Sequence, residues 1–214
     1  MVSKWSRPSA AAVHEYTRTL HELISETIAE TLRESEKSTL VNRVVGNVRS
    51  LQGRLHKNLQ DLPAAVIGTI GDHDVLAAAF EILQGSSTIP EPEPHIHFYL
   101  NKSGFWYLAA EAPPDLDKFA LKIRSIGSPV SGEVWILAWG SRYGDNRTKM
   151  HARLYAFDGG SVRTVWSQDA LHGGEIKVEG DRITVTYYDP AKWGIDPPNL
   201  EEYAITGTGL NRVR

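Results

Sequence analysis

The sequence predicts an α+β protein: an N-terminal helical hairpin or small bundle, then an antiparallel β-meander closed as a barrel or folded as a sandwich. Three observations lead there. Up to residue 85 the apolar residues recur largely at helical spacing; after residue 95 short β-type runs alternate with turn residues and hold five of the six tryptophans. Between them, Ser86-Ser87-Thr88-Ile89-Pro90-Glu91-Pro92-Glu93-Pro94 sets three prolines at alternate positions. Each proline fixes φ, so this stretch reads as an extended, polyproline-like strut. The expected organisation is a helical region 1–85, a Pro-rich linker 86–94 and an antiparallel β domain 95–214.

Val13, Tyr16, Leu20, Leu23/Ile24, Ile28 and Leu32 line one face of a first helix. Val41, Val44, Val48, Leu51, Leu55, Leu59 and Leu62 form a second stripe, rotated by roughly a third of a turn from the first at 100° per residue. Two helices joined near Glu34 to Thr39 satisfy both stripes. The first is rich in glutamate and the second in lysine and arginine, so an antiparallel pair places opposite charges along its flanks. One long coiled-coil helix is the competing reading, because a heptad grid joins Val13 to Val41; it meets Thr27, Glu30, Glu34 and Lys37 midway. After the glycine-broken stretch Ala64 to Gly71, a short helix is expected, capped by Asp72 or Asp74, burying Val75, Leu76, Ala79, Phe80 and Leu83, and stopped by Gly85.

Nine strands are expected: Ile96 to Leu100, Phe105 to Ala109, Phe119 to Ile126, Val134 to Trp139, Met150 to Phe157, Val162 to Ser167, Ile176 to Val178, Ile183 to Tyr188 and Tyr203 to Ile205. Asp158-Gly159-Gly160-Ser161 and Gly180-Asp181 read as hairpin turns, the second flanked by Glu179 and Arg182 as an opposite-charge pair. Sequential strands joined this way make an antiparallel meander and argue against a parallel nucleotide-binding sheet. The run Met150 to Trp166 has the look of one propeller blade, but no second copy follows at a fixed period.

Composition narrows the functions. With 23 basic and 26 acidic residues, the chain lacks the basic footprint that nucleic acid demands. It has no cysteine, which excludes disulfides, thiolate nucleophiles and sulfur-ligated zinc. No apolar run reaches the roughly 18 to 20 residues of a membrane span. The stretch Ala10 to Val13 behind Lys4 and Arg7 is too short for a signal-peptide core, so the expectation is a cytoplasmic protein if the chain is complete and an exported one if a targeting segment lies outside it.

Three constellations are candidates for chemistry. On a strand, His95-Ile96-His97 points both imidazoles to one side, within reach of one divalent metal. The glutamate that a cupin-like pattern wants is replaced by Leu100, Asn101 and Lys102, leaving His151, His172 or Glu111 to complete a site through the fold. The polar run Gly140 to Lys149 reads as a loop in which Arg142, Tyr143, Asp145 and Arg147 grip an anionic or sugar-like ligand. Trp193, between Lys192 and Gly194 in a Pro- and Gly-rich stretch, reads as an exposed anchor or as a plug at one end of the β module. Signatures of serine hydrolases, zincins, P-loops and dinucleotide folds are missing, and nothing ranks the many acids.

The expected function is therefore non-catalytic binding, the β module presenting a small-molecule or carbohydrate ligand and the helices serving a protein partner, a homodimer or internal packing. The alternative is a metal-dependent hydrolase built on His95 and His97. No cofactor is expected beyond, in that case, a divalent metal.

Overall fold

The computed structural model describes residues 10–55, 63–84, 91–113, 119–144, 147–192, 195–207 and 209–214. Two helices, α1 (Ala10–Glu34) and α2 (Leu40–Leu55), precede eleven strands in two antiparallel sheets. The helices part where the two apolar stripes change phase, with Thr39 N–H bonding Glu36 C=O at 3.0 Å in the turn between them. That excludes the single long helix. Arg43 Nη1 donates to the terminal Glu34 carbonyl at 3.0 Å, satisfying an acceptor that the end of α1 leaves open. Asn47 Nδ2 reaches Thr31 Oγ1 at 2.8 Å across the pair.

The first sheet is a four-stranded meander of β1 (Ala64–Ile70), β2 (His73–Gln84), β3 (Glu91–Lys102) and β4 (Phe105–Glu111), in that order. Here the expected short helix between Asp72 and Gly85 is corrected: His73–Gln84 is a strand. The reason lies in its burial. Leu76, Ala78, Phe80 and Ile82 face the helices, while Val75, Ala77 and Ala79 face the second sheet. A strand covered on both sides is apolar throughout, and its spacing then no longer distinguishes strand from helix. Gly71, at φ 55°, supplies the turn between β1 and β2.

The proline-rich stretch is also different from the expected free strut. Residues 91–94 open β3 and pair with β2, Pro92 opposite Leu83 and Pro94 opposite Glu81. Residues 85–90 of the expected segments lie outside the described residues. Ile96 accepts a hydrogen bond from Ala112 N–H, so even-numbered residues in this part of β3 turn their backbone groups toward the β4 side. β4 stops at Glu111, opposite His97. Pro92 and Pro94 therefore omit their N–H on the side where β4 has ended, and the ladder to β2 loses nothing. The first sheet thus takes strands from both sides of the proline-rich stretch.

The second sheet runs β5 (Phe119–Ile126), β6 (Val134–Gly144), β7 (Arg147–Phe157), β8 (Val162–Glu179), β9 (Arg182–Tyr188), β10 (Asn199–Thr206) and β11 (Gly209–Arg212), again in sequence order. Both expected hairpin turns form, with Gly159 at φ 97° and Gly180 at φ 58°, and Glu179 sits opposite Arg182. The two short strands expected at 162–167 and 176–178 are one long strand. Positive φ at Ala170 and Gly173 and shifted register near His172 bend it, so that its first part pairs with β7 and its second with β9. This bend curls the sheet: Arg124 Nη1 on β5 reaches the Val178 carbonyl of β8 at 3.2 Å. Trp135, Leu137, Leu154, Ile183 and Val185 fill the inside of the curl. The expected polar loop 140–149 is corrected as well, since β6 and β7 run on through Gly144 and from Arg147.

Three layers result: helices, first sheet, second sheet. Leu20, Ile24, Ile28, Leu32, Leu40, Val44 and Val48 are buried against β2 and β3, and Phe98 and Ile96 meet Phe157, Tyr155 and Ile136 on the other side. No described helix is long and apolar enough to cross a membrane. At Gly68 on β1 the two sheets come so close that a Cβ would overlap Val134 Cγ2. Gly68→Ala should therefore cost about 1–3 kcal/mol in urea unfolding, the usual range for overpacking; an unchanged midpoint would show that the sheets separate there freely.

Candidate metal centre

Period-two alternation on β3 puts Glu93, His95, His97 and Tyr99 on the face that looks at the helices. The register with β2 sets Phe80 opposite His95, Ala78 opposite His97 and Leu76 opposite Tyr99. Phe80 stacks on the His95 ring at 5.5 Å between centroids and meets His97 edge-on at 4.8 Å. From the other side α1 lowers His21 onto the pair, its ring 4.8 Å from that of His95 and 4.7 Å from that of His97. His21 follows Leu20, at the margin of the buried stripe of α1.

The three imidazoles offer one ligand atom each, and these atoms lie within 4.8 Å of one another. His97 Nε2 is 2.9 Å from His21 Nε2. Glu111, directly across the ladder from His97, brings Oε1 to 3.7 Å from His97 Nε2 and Oε2 to 3.6 Å from His21 Nε2. His95 Nε2 is buried and has no hydrogen-bond partner, its nearest carboxylate oxygen being Glu93 Oε1 at 3.9 Å. An orphaned ring nitrogen in a buried site costs stability unless another group takes its lone pair or proton.

Tyr99 stands behind the deepest ring. Ser25 Oγ donates to the His21 carbonyl at 2.7 Å, and the Tyr99 hydroxyl lies 3.3 Å from His97 Nδ1. With its proton on Nδ1, toward Tyr99, His97 leaves the Nε2 lone pair facing His21 and Glu111. A ring held by its outer nitrogen with the inner one free is the arrangement seen in metal-ligating histidines.

Burial and neighbouring charge keep His95 and His97 neutral. Burial, followed by the proximity of His21, pulls His95 down to about 4; burial, His21 and then His95 pull His97 down to about 3. The contact of His97 with Glu111 is thus between a neutral ring and a carboxylate. Burial pushes the Tyr99 hydroxyl up, so it remains a proton donor. Neutral imidazole is the form that binds metals.

Of the expected candidates, the fold brings His95, His97 and Glu111 together. His151 and His172 are elsewhere, on β7 and β8, where His151 Nδ1 meets Asp169 Oδ1 at 3.0 Å and Arg153 Nη2 meets the same oxygen at 2.9 Å. Arg142 and Tyr143 lie in β6 and Arg147 in β7, with their side chains, like Asp145 and Trp193, outside the described residues. His21 is the residue that motif spacing misses, since 73 residues separate it from His95 in the chain and only the docking of α1 closes the gap. Its one local signal is a histidine at the edge of an apolar helical stripe.

The depressed histidines have a consequence for stability. In the unfolded chain each titrates near 6.5, so between that pH and about 4 the unfolded state holds more protons than the folded one. Their contribution is complete above pH 6.5 and is lost as the pH falls through this window. With metal chelated, the unfolding free energy should fall by up to about 1.4 kcal/mol per pH unit per histidine. His95→Gln should flatten the dependence measured by urea unfolding from pH 7 to 4; an identical slope in the variant would show that His95 titrates normally.

Comparison of the chain with models of known protein families and with curated proteins found no match.

Proposed function

We propose that this protein binds a divalent transition metal through His21, His95 and His97, with Glu111 as an oxygen ligand. The observation that supports this most is the convergence of three imidazole nitrogens from two separate elements within 4.8 Å, one of them buried without a hydrogen-bond partner. Metal–nitrogen bonds of about 2.0–2.1 Å place tetrahedral ligands about 3.4 Å apart. The separations of 2.9, 3.6 and 3.7 Å among His21, His97 and Glu111 bracket that value, and with the His95 ligand atom within 4.8 Å of those of the other two rings, side-chain adjustments admit an ion. Three imidazoles and a carboxylate without sulfur suit zinc, nickel, copper or iron and do not suit calcium or magnesium.

In this reading the β module presents three ligands, His95, His97 and Glu111, and the helical pair contributes the fourth, His21, while packing on the first sheet. The buried stripes of both helices support a packing role for them over that of an assembly stalk. Binding takes the place of the hydrogen bond between the His21 and His97 ring nitrogens, each ring keeping its proton on the outer nitrogen, and it weakens in acid because protons compete with the metal for the same lone pairs.

Titration of protein without a histidine tag against Zn2+, in competition with a chromophoric chelator, should give one ion per chain. His97→Ala should abolish stoichiometric binding, and Tyr99→Phe should weaken it by about 10–100-fold, as removal of an outer-shell partner does. Absence of a stoichiometric ion in the unsubstituted protein would overturn the reading.

A further inference from the structure

We infer that this centre is hydrolytic, with Glu93 as its general base and Arg18 as the anchor for the carboxylate of a small anionic ester; this rests on the metal-binding reading above. A cleft of about 540 Å³ opens beside the cluster, bounded by the start of α1 and the beginning of β3, and both His21 and His95 line it. Glu111 and His97 are not among its lining residues, so the metal would be held from behind and reached from this one side.

The cleft carries the groups that hydrolysis requires. Glu93 lies on the same face of β3 as the two histidines, lines the cleft, and brings Oε1 to 3.9 Å from His95 Nε2. An ion bonded to that nitrogen would lie beside Glu93, whose carboxylate would be placed to take a proton from a water entering from the cleft. Arg18 stands one helical turn before His21 and also lines the cleft. Its contact with Glu22 is long, 3.9 Å, between two side chains more than three-fifths exposed, so exchanging it for a substrate carboxylate costs little. A guanidinium grips a carboxylate through two parallel hydrogen bonds.

The two carboxylates select the ester. Glu93 and Glu111 flank the centre, and their charge repels a dianionic phosphoryl group, while an ester carbonyl is neutral until attacked. In the reaction, water gives a proton to Glu93 as its oxygen bonds to the carbonyl carbon, and the carbonyl π bond opens onto its oxygen, whose developing negative charge the metal would stabilise. The bond from that carbon to the alkoxide oxygen then breaks, and the alkoxide takes the proton back from Glu93. One water is consumed, and one carboxylic acid and one alcohol form.

The test uses the full chain loaded with one Zn2+, assayed with mono-4-nitrophenyl succinate, 4-nitrophenyl acetate and 4-nitrophenyl phosphate. The succinate ester should be hydrolysed fastest. Glu93→Gln should keep the bound ion and lower kcat by about 100-fold or more, the usual scale of general-base catalysis. Arg18→Ala should raise KM for the succinate ester by about 10-fold and reduce the preference for succinate over acetate by the same factor, the loss expected of one charge-assisted contact; an unaltered preference would overturn the anchoring role. A chain that holds one Zn2+ but hydrolyses no faster than the same concentration of free Zn2+ would overturn the hydrolytic inference alone, as would preference for the phosphate. Failure to hold the ion at all would overturn the metal-binding reading as well.

Discussion

The central strands of the first sheet, β2 and β3, have no face left for water over most of their length, and most of the architecture depends on that. β2 and β3 lie between the helical pair and the curled second sheet, so Leu76, Phe80 and Tyr99 are buried on one side and Val75, Ile96 and Phe98 on the other. Such strands gain apolar burial along their whole length. In return, every polar side chain on them must find a partner within the layers. The glutamine and glutamate at this interface follow the rule in part: Gln52 Nε2 on α2 bonds the Glu81 carbonyl at 2.9 Å.

The histidines are the costliest members of that interface. Phe80 and the flanking layer strip water from His95 and His97, and three adjoining rings cannot share positive charge. His95 and His97, held neutral, stand with His21 around one carboxylate, and Tyr99 meets the outer nitrogen of His97. The desolvation that depresses their protonation also leaves their lone pairs for a cation. The cluster lies where α1 crosses β3, so the docking of the helix and the assembly of the site are one event.

The second sheet spends its polar groups differently. Glu201 accepts from the hydroxyls of Tyr203 and Tyr187, and Gln168 donates to both Glu201 and Tyr203, so strands β8, β9 and β10 are tied within the curl. The network extends to β11, where Arg212 Nη2 stands 3.4 Å from Glu201 Oε1.

Local chemistry was enough to read the helix break near Glu34, the hairpin turns at Asp158 and Gly180, and the strand carrying His95 and His97, because phase changes, tolerated positive φ and period-two alternation are written in neighbouring residues. The helical appearance of Val75 to Leu83 misled because two-sided burial erases the alternation that marks a strand. The prolines at 92 and 94 read as a linker because nothing nearby in sequence says that β4 ends at Glu111 and frees that side of β3. The site was half legible. His95 and His97 are two residues apart on one strand, whereas Glu111 joins them through a cross-strand register and His21 through the packing of α1, and contacts between distant segments are decided only when the layers close.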